Sequence, residues 1–171
     1  MFPRSSGVLL HVSSLPGPYG VGDLGPEAHA WVDWLADSGC GYWQILPLGP
    51  TGSADSPYSS PSSSAGNINF ISPDLLVGDG LLAAGEVGGK EKTERVDYSR
   101  VVRNKWAMVG LAFTRLSGDL EAEFTRFRRR ESDWLDPYSL FMALKDAHGG
   151  GSWTGWSPEL RARDPGSVGA T

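Results

Sequence analysis

The 171 residues have the length of about one domain, and 40% hydrophobic content supports a buried core, which excludes a collagenous, coiled-coil or wholly disordered chain. The 15 Lys and Arg against 20 Asp and Glu leave a net charge of -5, which argues against nucleic acid or any partner held mainly through phosphate groups. With a single cysteine, Cys40, and no His-Cys cluster, neither an internal disulfide nor a zinc site is expected, and a reducing cytoplasm fits best.

Near the N-terminus the continuous apolar run is only Val8-Leu9-Leu10, too short for a signal core or a spanning helix, so no membrane role is expected. Val8 to His11 reads as a short buried strand, followed by a Pro- and Gly-rich loop from Ser13 to Gly25. Pro26 then opens a helix in which Ala28, Trp31, Val32 and Leu35 recur at i, i+3, i+4 and i+7 until Gly39. Tyr42 to Leu46 reads as a second strand. Strand, helix, strand in some fifty residues predicts an α/β fold opening on a parallel βαβ unit.

Leu48 to about Ile71 is rich in Gly, Ser, Pro and Asn but contains Tyr58, Asn67 and Phe70, which favours an ordered functional loop over a linker. Gly78 to Glu94, polar and aperiodic, reads as a mobile surface connection. Helices follow. Trp106, Val109, Gly110 and Phe113 mark one stripe and Leu120, Phe124 and Phe127 another, while Asp136 and Pro137 are expected to cap and start a third that ends at Gly149 to Gly151. The basic run Arg126, Arg128, Arg129 and Arg130 reads as a solvated helix face, and Ser157 to Thr171 as a polar tail.

No Ser/His/Asp arrangement, phosphate-cradling loop, dinucleotide fingerprint or zinc-protease motif is present, and neither a metal nor a cofactor is expected. Of the histidines, His29 and His148 read as structural. His11 ends a strand of a βα unit, where ligand-facing groups collect. Asp23 and Asp55 lie in the loops after the two strands, where turn duty and ligand contact compete evenly. Seven Trp, five Tyr and six Phe in an acidic, loop-rich chain suit either core packing or a neutral ligand with apolar ring faces, such as a sugar.

Three stretches carry a resemblance. His11-Val12-Ser13-Ser14-Leu15-Pro16-Gly17-Pro18-Tyr19-Gly20 with Gly22-Asp23-Leu24-Gly25, then Tyr42-Trp43-Gln44-Ile45-Leu46-Pro47-Leu48-Gly49-Pro50-Thr51-Gly52, then Asp55-Ser56-Pro57-Tyr58, resemble the opening of 4-alpha-glucanotransferases, or amylomaltases. Ala65-Gly66-Asn67, Lys105-Trp106 and the run from Trp134 through Lys145 to Gly150 continue it in order.

The resemblance implies a partial (β/α)8 TIM barrel. Residues 1–50 would form its first βαβ unit, 51–98 a substrate loop and variable insertion, and 99–171 a helical subdomain, the whole resembling the N-terminal third of such an enzyme. It implies a retaining transferase that moves α-1,4-glucan segments between malto-oligosaccharides or starch chains. Retention requires two carboxyl groups about 5 Å apart. The strings that carry them in the family, R-I-D-H, A-E-D-L-G and T-H-D-N-D, do not occur here, so no catalytic residue is expected in this chain and the chain alone should be inactive.

For glucan contact the resemblance implies Tyr58, stacked on the sugar ring at the cleavage point, and Ser56, bonded to neighbouring hydroxyls; Asp55, Asn67 and His11 complete the expected set. Ser53-Ala54 replaces a Tyr-Gly pair of the family motif, which removes an aromatic platform, and Ser59 to Ser64 replaces a stretch with aromatic anchors. The competing readings are a free-standing, non-catalytic glucan-binding module and a helical scaffold over residues 99–148.

Overall fold

The computed structural model of the protein describes residues 4–52, 55–88 and 95–164. Its internal contacts divide the chain into two compact units, residues 1–120 and 121–171.

In the first unit, strand β1 (Gly7–Leu9) pairs in parallel with β2 (Tyr42–Gln44), Val8 opposite Trp43. Leu10 N–H extends the ladder to Gln44 O at 3.0 Å, and the Trp43 indole N–H returns a bond to Leu10 O at 2.7 Å. Both strands end earlier than the apolar runs suggest. After Leu10 the backbone tightens into a 3-10 turn at Val12–Ser14, and Pro47 brings no N–H to continue a ladder.

Between the strands runs helix α1 (Pro26–Asp37), with proline in its first turn and Gly39 just beyond its end at φ +73°, a conformation that glycine adopts without a Cβ clash. Its buried positions are Ala28 and Leu35, whereas Val32 is exposed. The strand–helix–strand expectation holds.

The loop after β2 is ordered by its own polar groups. Gly52 N–H donates to Ser59 O at 2.7 Å and Asn67 N–H to Leu48 O at 3.0 Å. In the serine run that replaces aromatic anchors, Ser62 Oγ accepts from the N–H groups of Ser64 and Ala65, and Ser60 Oγ donates to Ser62 O. Hydroxyl turns thus shape a loop without apolar anchors. Ser53 and Ala54 lie outside the described residues.

The segment from Gly78 to Glu94 requires a correction. Leu81, Leu82 and Val87 are buried in one cluster with Tyr19, Met108 and Ala112, reached through helix α2 (Pro73–Gly78) and a 3-10 turn at Ala84–Glu86. Glu86 fixes that turn twice: it accepts the Ala83 N–H at 2.8 Å and takes both terminal nitrogens of Arg115 at 2.6 and 2.7 Å. This connection is core, although it has no periodicity. Residues 89–94 of it lie outside the described residues.

Helix α3 (Tyr98–Phe113) starts where Asp97 Oδ1 accepts Arg100 N–H at 3.0 Å. It buries Val101, Lys105, Met108 and Ala112, while Trp106 and Phe113 are exposed. The expected stripe was one residue, about 100°, out of register.

Helix α4 (Gly118–Arg130) has no buried position, so its stripe of Leu120, Phe124 and Phe127 stays at least partly open. Arg126, Arg128, Arg129 and Arg130 are exposed as expected, and Arg130 pairs with Glu131 at 2.7 Å.

In the second unit, helix α5 (Ser132–Ala147) begins five residues before Pro137, so Asp136 does not cap it and Pro137 lies inside it. The earlier turn is held by Trp134, whose indole N–H donates to Glu131 at 2.7 Å and whose ring meets Phe127 and Tyr138, each 6.4 Å away. His148 Nδ1 lies 2.7 Å from Leu144 O, and the His148 ring faces Trp156 at 5.3 Å, a structural role as expected. The tail holds a short helix, α6 (Pro158–Arg161), capped by Ser157; residues 165–171 lie outside the described residues.

Candidate functional site: a cavity at the strand ends

Both strands of a parallel pair run the same way, so the loops leaving their C-terminal ends gather on one side. There His11, directly after β1, holds its ring edge-on to Phe70 at 5.3 Å and 83°. Phe70 closes a 3-10 turn, Ile68–Phe70, that Asn67 caps by accepting Asn69 N–H on Oδ1 at 2.9 Å. Leu24 N–H donates to Phe70 O at 3.0 Å and ties this turn to the loop before α1.

Beside these contacts lies a partly open cavity of about 30 Å³, lined from the β1 loop by His11 and Ser13, from the β2 loop by Thr51 and Asp55, and from the 3-10 turn by Asn67 and Asn69. Three of the five expected residues, His11, Asp55 and Asn67, therefore meet. Ser56 and Tyr58 do not line it. Ser56 Oγ accepts the Tyr58 N–H at 3.3 Å, and the Tyr58 side chain projects into solvent, 74% exposed. Asp55 reaches the cavity with φ at +51°, left-handed backbone that Asp tolerates better than most residues.

Burial pushes the His11 imidazole pKa below its ordinary value, which favours the neutral ring at neutral pH. Asp23 is not part of this cavity. Its Oδ1 accepts Gly25 N–H at 3.1 Å at the start of α1, and its Oδ2 takes Lys105 Nζ at 2.9 Å. Burial pushes the Asp23 carboxyl up and the Lys105 ammonium down, with their mutual attraction opposing both shifts. Of the two duties weighed for Asp23, the structural one is realised.

Asn69 is the residue that sequence reasoning missed. It is 3% exposed and lines the cavity, and the Asn67-x-Asn69 spacing before a Phe is a local turn signal that could have drawn attention to it. Among the described residues there is no group of three or more His, Cys, Asp or Glu placed to hold a metal ion. No helix among them is long and apolar enough to cross a membrane.

A model of the 4-alpha-glucanotransferase family matches residues 10–171. The 4-alpha-glucanotransferase of Thermus thermophilus is 46% identical over 166 residues, covering 95% of this chain and 33% of its own length. The chloroplastic/amyloplastic 4-alpha-glucanotransferase of Solanum tuberosum is 40% identical over 169 residues, 94% of this chain and 29% of its own. Among solved structures, amylomaltase from Streptococcus agalactiae in complex with acarbose superposes with a TM-score of 0.90 at 32% identity, over 98% of this chain and 35% of that one. The chain spans about a third of the length of the relatives it matches.

Proposed function

The chain belongs to the 4-alpha-glucanotransferase family, and from that premise we propose that it supplies glucan-contacting loops to an enzyme that passes α-1,4-glucan segments between malto-oligosaccharides or starch chains. Residues 1–50 contribute the first βαβ unit of a (β/α)8 barrel, residues 51–98 the substrate loop and insertion, and residues 99–171 a helical subdomain. The observation that carries the reading is the convergence of His11, Asp55 and Asn67 at the C-terminal ends of two parallel strands, the side on which barrel enzymes place their sites.

A retaining transfer forms a glycosyl–enzyme bond to one carboxylate while a second carboxyl protonates the departing oxygen, then deprotonates the accepting 4-hydroxyl. That pair belongs to residues other than these 171. What this chain does is bind and orient. Tyr58 offers an exposed ring face for the apolar face of a glucose unit, and Ser56, beside it, a hydroxyl for hydrogen bonding. The single cysteine fits a reducing cytoplasm as the compartment.

Joined to the remaining two-thirds of the Thermus thermophilus relative, the chain should convert maltotriose into glucose and longer maltodextrins; alone it should not. Disproportionation by the purified chain alone would overturn the assignment of the carboxylates elsewhere, and failure of every soluble joined protein would overturn the reading itself. In the joined enzyme, Tyr58→Ala should lower transfer by about tenfold or more, since 1.36 kcal/mol is tenfold in rate and ring stacking contributes on that order. Tyr58→Phe should retain most activity. A folded Tyr58→Ala enzyme with unchanged rate would leave Tyr58 a solvent-exposed side chain with no part in binding.

A further inference from the structure

The turn Ile68–Phe70 brings Asn67 to the strand-end cavity and sets Phe70 against the His11 ring. Hydrogen bonds from other segments fix both of its ends. At its start Asn67 N–H donates to Leu48 O, in the loop after β2. At its end Leu24 N–H donates to Phe70 O, and the Lys105 ammonium donates to Ile71 O. The same ammonium holds Asp23, the residue before Leu24, through Oδ2 at 2.9 Å. One side chain of α3 therefore grips both partners of the Leu24–Phe70 bond, each by the adjoining residue. The fit there is close: a Cβ on Gly25 would collide with Ser72 Oγ and with Asp23 Oδ1.

Stability is a poor reason for a lysine at this position. Val101, Met108 and Ala112 make the rest of the buried face of α3 apolar, and Lys105 is buried among them. Taking an ammonium and a carboxylate out of water costs so much that well-packed apolar replacements are often neutral or stabilising. What an apolar side chain does not supply is direction. An ammonium carries three donors, and two of them meet acceptors on two different segments.

We propose that Lys105 is a positioning residue of the glucan site: its ammonium fixes the Asn67–Phe70 turn against the β1 loop, so that Asn67 and His11 meet the same stretch of bound glucan. Lys105 does not line the cavity and acts only through the turn. The glucan half of the proposal rests on the function proposed above; the clamp itself does not.

The joined enzyme carries the test. Lys105→Met with Asp23→Asn removes both charges, leaves neither buried alone, and keeps an acceptor for Gly25 N–H. In this double variant residues 67–71 should exchange their amide hydrogens about tenfold faster by mass spectrometry, and KM for maltotriose should rise about tenfold with kcat changed less. A lysine that only stabilises the fold would lower the melting temperature and the folded fraction, and KM does not depend on how much of the enzyme is folded. Unchanged KM overturns the proposal, and so does unchanged exchange over residues 67–71. Should the double variant fail to fold, Lys105→Gln, whose amide can still donate to Asp23, is read by the same two measurements. Asn67→Ala and His11→Ala in the same enzyme separate the proposal from the reading beneath it. If both leave KM unchanged, the glucan reading of the cavity fails, whatever Lys105 does. If they raise it and the Lys105 variants do not, only the positioning role fails.

Discussion

Lys105 sits in α3 at a position whose spacing from Val101 and Met108 belongs to the buried face, and it is only 1% exposed. Its ammonium donates to Asp23 Oδ2 and Ile71 O and lies 5.7 Å from the centre of the Tyr19 ring, while Tyr19 donates its hydroxyl proton to Asp74. One cation thus joins the loop before α1 to the chain between Phe70 and α2. Lys105→Met would leave the Asp23 carboxylate buried without its partner, which costs about 3–5 kcal/mol. Adding Asp23→Asn removes the orphaned charge and keeps an acceptor for Gly25 N–H, so urea denaturation should show the double variant more stable than Lys105→Met alone. If the double variant is the less stable, the lysine's packing matters more than its charge. The family motifs made Asp23 and Lys105 visible separately, but residues 82 apart in sequence carry no local sign that they touch.

At the scale of elements, the βαβ unit was legible because its signals are local: short apolar runs, Pro26 at the first helical position, Gly39 past the end. The face of α3 was not, since Trp106 and Phe113 fit helical spacing as well as Met108 and Ala112 do. Which stripe is buried depends on Tyr19, Leu81, Leu82 and Val87, three of them in a stretch without periodicity. The paired guanidinium of Arg115 holds the Glu86 carboxyl down to about 2, from an ordinary 4.5. A depressed carboxylate contributes stability that is complete above its unfolded value and lost as pH falls through its folded one. The melting advantage of the native chain over Glu86→Gln should therefore shrink between about pH 4.5 and 2, by an amount kept small because both side chains are about a third exposed. A gap that stays constant over that range would show that the pair does not couple to folding.

Pro137 poses the opposite problem for α5. A proline at the sixth helical residue provides no N–H for the carbonyl of Asp133 and crowds it, a cost of up to about 3 kcal/mol in a helix interior. The aromatic contacts of Trp134 and its bond to Glu131 outweigh that cost, which is why the helix starts before the residue that reads as its natural beginning. Pro137→Ala should raise the melting temperature. If it lowers it, the proline's restriction of the unfolded chain outweighs the lost hydrogen bond.

For the whole molecule, the motifs that identify the family are contiguous in sequence and so were readable at once, whereas Asn69 and the Asp23–Lys105 pair acquire their roles only when separate segments meet. The same distinction governs stability. Among the described residues β1 and β2 pair only with each other, and Leu9, Tyr42, Trp106 and Phe113 each leave about half or more of their surface open. Unpaired strand edges and exposed apolar side chains are templates for association. The 171 residues alone should therefore bind a hydrophobic dye and self-associate on a sizing column. Joined to the remaining two-thirds of a relative, they should elute as a single species with the dye signal lost. A monodisperse monomer of the chain alone, with a sharp two-state melt and no dye binding, would show instead that its own core suffices. The exposed side chains would then be ordinary surface, and a free-standing glucan-binding module would become the better reading.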